Sequence, residues 1–197
     1  MKTITRTDYS ILSSPEIKNR LAKQAPIQEE TGNIPNAAVL IPLFLQNNRW
    51  NVLFIHRSSW VDKHKDQVSF PGGMAEEGDQ DPFETALRET REEIGIASEL
   101  IKVLGQLNPL VFREEYKIYP IVGEIPFPIE TTLSKMEVKH IFSIPLDWLA
   151  DPLHYSLKEV DSPGGKKRKV YYFQEYEHEL LWGISAFITI QLVEKLK

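Results

Sequence analysis

From Pro71 to Ile96 the chain reads PGGMAEEGDQDPFETALRETREEIGI, a proline and two glycines followed by a helix with both ends written into the sequence. Asp81 is a strong N-cap, Pro82 suits the first helical position, and Glu84 completes an Asp-x-x-Glu capping box. Gly95 stops the helix just past Ile94. Between them Phe83, Ala86, Leu87, Thr90 and Ile94 recur at three- and four-residue steps and form the expected buried stripe. Pro71-Gly72-Gly73 is a tight turn that permits close backbone approach.

The same helix is crowded with acid. From Glu76 to Glu93 eight carboxylates face two arginines, Arg88 and Arg91, a local formal charge of −6 against −5 for the whole chain. Like charges at helical spacing repel. Glu89, Glu92 and Glu93 stand three and four residues apart, which predicts that all three project from one exposed side and can bring several oxygens to one point. A hard divalent cation would neutralise such a set, since Mg²⁺ prefers oxygen ligands and keeps water and substrate phosphate in its shell. The competing reading is an ordinary solvated face in which Arg88 pairs with Glu92. The glycine turn a short loop ahead of the helix favours the cation.

This segment resembles the Nudix box, G-x5-E-x7-R-E-U-x-E-E-x-G-U, where U is a bulky aliphatic residue. Gly73 matches its first glycine, Arg88-Glu89 the R-E pair, Glu92-Glu93 the E-E pair and Gly95-Ile96 its end. Asp79 replaces the first glutamate, Thr90 takes a U position, and eight residues rather than seven separate Asp79 from Arg88. The extra residue is a habit of the coenzyme A diphosphatase branch. That branch has an upstream signature, roughly L-L-T-x-R-[SA]-x3-R-x3-G-x3-F-P-G-G, and the chain reads LFIHRSSWVDKHKDQVSFPGG from Leu53 to Gly73. Leu53, Arg57, Ser58, Phe70, Pro71, Gly72 and Gly73 keep the register, whereas Ile55, Asp62 and Asp66 replace the threonine, second arginine and glycine. The likeness continues through AAVLIPLF at 37–44, YPIVGEI at 119–125, Glu137-Val138 to Pro145-Leu146, and WGISA at 182–186.

The resemblance implies an α/β fold, the Nudix-type αβα sandwich with a mixed β-sheet, and metal-dependent hydrolysis of a nucleoside diphosphate linked to another moiety. In the branch that moiety is coenzyme A or acyl-CoA, giving 4′-phosphopantetheine and adenosine 3′,5′-bisphosphate. ADP-ribose, a dinucleotide or a damaged nucleotide is the alternative substrate, and a non-catalytic nucleotide sensor the alternative class. The expected metal ligands for Mg²⁺ or Mn²⁺ are Glu89, Glu92 and Glu93. The expected catalytic residues are Glu92, Glu93 and Glu137, the last matching an acid that the branch places ahead of a late strand. Arg57, Gly72 and Gly73 are expected to meet substrate, and Arg88 to orient the carboxylates. Lys166, Lys167, Arg168 and Lys169 are weighed as a peripheral phosphate site against a solvated hairpin tip. His56 and His64 are read as structural or exposed, Tyr171, Tyr172 and Phe173 as core and face, and Trp182 as packing.

Elsewhere, Ser14 opens a short helix to about Lys23, and residues 24–35 read as a polar linker. Residues 1–35 are thus expected as an N-terminal helix and linker ahead of a domain over 36–197. Strands are predicted at 37–45, 50–56, 101–107, 117–125 and 139–144, the first buried on both faces. A short helix starts at Pro145, 155–160 and 169–175 form a hairpin, and Ile184, Phe187, Ile188, Leu192 and Leu196 mark the apolar face of a last helix. The chain has 197 residues, 42% of them hydrophobic, and no cysteine, which excludes disulfides, thiolate metal sites and a cysteine nucleophile. No apolar run is long enough to span a membrane, and the N-terminus lacks a signal-peptide core, so a cytoplasmic enzyme is expected. The expected partner is a small nucleotide-diphosphate substrate, with a homodimer left open. Nucleic acid and membrane are not expected, the former because of the acidic balance.

Overall fold

Strand β1 (Asn36–Gln46) is the centre of the molecule and is buried along most of its length. Its near-continuous apolar sequence suits a strand covered on both faces. In the computed structural model, which describes residues 9, 12–22, 34–60, 65–112, 115–162 and 166–197, β1 pairs antiparallel with β2 (Arg49–Arg57) and parallel with β7 (Tyr116–Glu124). Around these, β3 (Val68–Ser69) and β8 (Val138–Pro145) pair with β2, β4 (Gly72–Met74) with β1, and β5 (Lys102–Gln106) and β6 (Leu110–Phe112) with β7, all antiparallel. The result is a mixed eight-stranded sheet among the described residues.

Alternation along the central strands feeds two cores. Leu40, Phe44, Leu53, Ile55 and Ile121 point to one face and pack with Ala86 and Ile94 of helix α2 (Pro82–Ile94). Ile41, Leu43, Val52, Phe54 and Val122 point to the other. There they meet helices α1 (Ser14–Ala22), α3 (Leu146–Leu149) and α4 (Gly183–Leu196) through Ile17, Leu21, Leu146, Leu149, Ile188 and Leu192. A strand with period-two side chains needs such a layer on each side, and the expected sandwich of helices around a mixed sheet is what the chain forms. Helix α1 is part of the second core, since Ile17 and Leu21 are buried in it. Most of the expected 24–35 linker lies outside the described residues. The hairpin is present as β9 (Tyr155–Ser162) and β10 (Lys166–Phe173), although its Gly164-Gly165 turn lies outside them too.

Two local readings are corrected. On α4 the buried residues include Ala186, Thr189, Ile190 and Val193, whereas Phe187 is exposed. The helix is so uniformly apolar that periodicity marks its face poorly. In α2 the Asp81 carboxylate caps Phe83 and Glu84 as expected, but Glu84 accepts from the Gln80 amide rather than from the cap residue itself. Among the described residues no helix is long and apolar enough to cross a membrane.

Candidate active site

Helix α2 delivers its acids to the edge where β4 leaves β1. The turn that enters β4 requires glycine at Gly72, whose φ is 154° and whose added Cβ would lie 2.4 Å from the Ala38 carbonyl oxygen. At Gly73 a Cβ would meet Glu89 Oε1 at 2.4 Å. The two glycines therefore let the β4 backbone come down onto the carboxylates of α2.

Glu93 is the deepest of these. It is 3% exposed, with Oε2 accepting from the Gly72 amide at 2.9 Å and Oε1 3.4 Å from Arg57 Nη1. The expectation that Glu89, Glu92 and Glu93 share an exposed side is thus corrected: Glu93 is buried, Glu89 half-buried and only Glu92 exposed. Helical spacing fixes their mutual direction but not the height of the β4 turn that covers one of them. Burial pushes the Glu93 carboxyl up to about 8, against the Gly72 hydrogen bond and the Arg57 charge, which favour the anion. Burial also raises Glu89 above its ordinary range, and the charge of Glu137 adds to the rise of both. Glu137, far along the chain, is therefore brought within electrostatic reach of the α2 acids. Its carbonyl accepts from the Ser58 amide, which ties its loop to the end of β2.

Arg88 lies along these acids. Its Nε and Nη2 grip both oxygens of Asp79 at 3.1 and 2.9 Å, Nη2 reaches the Met74 carbonyl at 3.0 Å, and Nη1 reaches Glu89 at 2.9 Å and Glu92 at 3.1 Å. The hydrogen bond from Arg88 holds the Asp79 carboxyl well below the usual carboxylate range despite burial. Asp79 also accepts from the Glu76 amide and the Thr85 hydroxyl. The shorter acid at this position, together with the additional residue, still closes a bidentate pair with Arg88.

Arg57 ends β2 beside a register shift of β8, where His56 faces His140 and Arg57 faces Val138, leaving Lys139 as the extra residue. Bulges re-aim side chains at such places. Its Nε is buried with no hydrogen-bond partner among the described residues, so the guanidinium has unspent donors beside Glu93. A cavity of about 610 Å³ opens next to it, lined by Ser58, Trp60, Leu133, Lys135 and Lys139 among others. Trp60 is exposed in it. At the signature glycine position Asp66 has φ 50°, a left-handed conformation that glycine adopts freely and aspartate tolerates. Asp62 and His64 lie outside the described residues.

The remaining expectations fall elsewhere. β10 packs against α4, and on it Lys167 approaches Glu159 at 3.8 Å. Tyr172 stacks on Trp182 at 5.5 Å and Phe173 is buried, so these rings pack on protein. Sequence reasoning missed the partners of His56, which are His140 and Glu179. His140 and His56 stand 39 and 123 positions from Glu179, and no local pattern signals so distant a meeting.

Residues 33–160 match the family model described as NUDIX domain. The uncharacterized Nudix hydrolase NudL of Photorhabdus laumondii is 34% identical over 189 residues, covering 95% of this chain and all of that protein. Its namesake from Yersinia enterocolitica is 36% identical over 166 residues, 84% of each chain. The solved Nudix hydrolase RenU of M. smegmatis shares the fold with a TM-score of 0.50 at 19% identity, over 59% of this chain and 73% of that one.

Proposed function

The chain belongs to the Nudix hydrolase family, whose members act on pyrophosphate bonds, and we propose that it hydrolyses the diphosphate of coenzyme A or an acyl-CoA in the cytoplasm, releasing 4′-phosphopantetheine and adenosine 3′,5′-bisphosphate. The observation that carries the reading is the meeting of Glu93, the Gly72 amide and Arg57 at one point. It joins the acidic helix to the upstream signature that ends in Phe70-Pro71-Gly72-Gly73.

Nudix hydrolases in general use divalent metal ions. The expected donor set, Glu89, Glu92 and Glu93, is all hard oxygen, whose chemistry suits Mg²⁺ or Mn²⁺. Among the described residues the three carboxylates do not converge on one point, and Arg88 stands between Glu89 and Glu92. A buried Glu93 whose anion is disfavoured by its surroundings fits a partner of opposite charge. Held by these residues, such a cation would supply charge neutralisation at the diphosphate and would lower the pKa of water there. The protein's own groups supply the rest. Arg88 holds Glu89 and Glu92 in place by direct hydrogen bonds and leaves them little freedom to turn away. Arg57, 21% exposed in its side chain with Nη1 3.4 Å from Glu93, stands where a guanidinium can meet a phosphate oxygen. Gly72 and Gly73 keep the β4 backbone free of side chain where the diphosphate must approach. Glu137 or Glu92 accepts the proton of the attacking water.

The cavity beside Arg57 suits the nucleotide half. Trp60 offers a face for the adenine and Lys135 an ammonium group for a 3′-phosphate, while Lys139 is shared with Asp66, 3.8 Å away in the same wall. The test is turnover, with Mg²⁺, of CoA, 3′-dephospho-CoA, ADP-ribose, NADH and diadenosine polyphosphates. CoA is expected to have the highest kcat/KM, and Lys135→Ala with Lys139→Ala to raise KM for CoA more than for 3′-dephospho-CoA. Preference for ADP-ribose or a dinucleotide would refute the substrate, and binding without turnover of any compound would refute the enzyme in favour of a sensor.

A further inference from the structure

His56 of β2, His140 of β8 and Glu179 of the 176–179 turn converge away from the carboxylates of α2. His56 Nδ1 lies 2.8 Å from Glu179 Oε2, and His140 Nε2 lies 2.6 Å from Glu179 Oε1. The two histidines are cross-strand partners with ring centroids 4.8 Å apart. One ligand atom from each of the three residues falls within 4.8 Å of the others. All three side chains are largely shielded except His140. The second ring nitrogen of His56, Nε2, is buried without a hydrogen-bond partner among the described residues and faces Asp66 Oδ1 at 3.8 Å.

We propose that His56, His140 and Glu179 form a second metal site, one that takes a borderline divalent cation of the Zn²⁺ class rather than Mg²⁺. Two neutral imidazoles and one carboxylate make a ligand set found around Zn²⁺, with three protein ligands and one position left for water. Mg²⁺ by contrast demands oxygen. The unpartnered Nε2 is the second observation that points the same way. When Nδ1 of His56 binds a cation its proton resides on Nε2, and that N–H then points at Asp66. A carboxylate behind a ligating histidine is the usual means of fixing its tautomer. Without the cation, His56 Nδ1 meets Glu179 directly and the buried Nε2, 3.8 Å from Asp66, is left without a hydrogen bond. Glu179 brings one negative charge to the cluster, and Asp66, which also faces Lys139 at 3.8 Å, stands behind it.

The site would be structural in its effect. It ties the turn ahead of α4 to the β2–β8 pair immediately next to Arg57, and so steadies the strand that presents Arg57 to Glu93. Chelator-stripped full-length protein titrated with Co²⁺ provides the test, because four-coordinate Co²⁺ with nitrogen ligands absorbs strongly in the visible and Zn²⁺ displaces it. One equivalent of such a signal is expected for wild type, resistant to excess Mg²⁺ and retained by the Glu89→Gln, Glu93→Gln double variant. His140→Asn and Glu179→Gln should each weaken Co²⁺ at least ~10-fold, the scale at which even outer-shell changes act. His140 is 42% exposed in its side chain, so that variant is expected to stay folded. Absence of the signal in wild type, its survival unchanged in His140→Asn, or its loss in the double variant would each overturn the proposal; the first would leave a hydrogen-bonded clasp, the last would assign the cation to α2.

Discussion

Glu93→Gln is expected to lower kcat by at least ~10²-fold, because loss of a carboxylate that holds the cation should cost no less than loss of a general acid–base group, while the protein stays folded. The replacement is isosteric, and an amide oxygen can still accept from the Gly72 N–H that Glu93 now holds at 2.9 Å. It removes the negative charge that a cation requires. It also removes a liability of the metal-free fold. Burial raises the Glu93 carboxyl from 4.5 to about 8, so between those values the folded chain keeps a proton that the unfolded chain has released. Stability of chelator-treated wild type therefore falls as pH rises through that window, and the loss is complete above it. The glutamine variant has no such group. Its melting temperature should overtake that of metal-free wild type progressively between about pH 5 and pH 8. A variant with near-normal turnover, or one whose stability tracks wild type at every pH, would remove Glu93 from both roles.

Arg88→Met is expected to be the most destabilising single change at the site. Arg88 is the common partner of Asp79, Glu89 and Glu92, and its side chain is 16% exposed against 7% for Asp79. Removing one partner of a buried ion pair costs about 3–5 kcal/mol; partial exposure places this case near 3 kcal/mol, roughly 6–12 °C in Tm for a chain of this size. Arg88→Lys should not rescue it, because one ammonium cannot replace a planar fork gripping both Asp79 oxygens. Thermal melts of the three proteins in chelator decide the matter. A loss below about 1 kcal/mol, typical of solvent-screened surface pairs, would mean that Arg88 merely decorates the helix.

The parts of the molecule governed by short-range rules were legible in the sequence. Asp81, Pro82 and Gly95 set the ends of α2 because capping and left-handed termini involve only neighbours in the chain, and Gly95 indeed has φ 76°. The apolar run at 37–45 announced β1 because a strand covered on both faces needs no alternation. The short strands β3, β4 and β6 carry too few residues to show a period. The site was legible as a list of acids and illegible as a shape. Nothing near Glu93 in sequence says that the Gly72 backbone will fold over it, so its burial and raised carboxyl appear only when β4 pairs with β1. The link between Glu137 and α2 came from family resemblance, since a register of distant strands cannot be read from one chain. His56, His140 and Glu179 had neither local pattern nor resemblance to join them.

The central claim is that the carboxylates of α2 hold a hard divalent cation. Its most direct test is the thermal melt of chelator-stripped protein with and without Mg²⁺, on wild type and on the Glu89→Gln, Glu93→Gln double variant. Linkage predicts a stabilisation of wild type by roughly 2.7 kcal/mol at a hundredfold excess of Mg²⁺ over Kd, and none in the double variant. Mg²⁺ is the appropriate probe because the histidine cluster has too few oxygens to compete for it. An equal shift in both proteins, or no shift in wild type at millimolar Mg²⁺, would contradict the account.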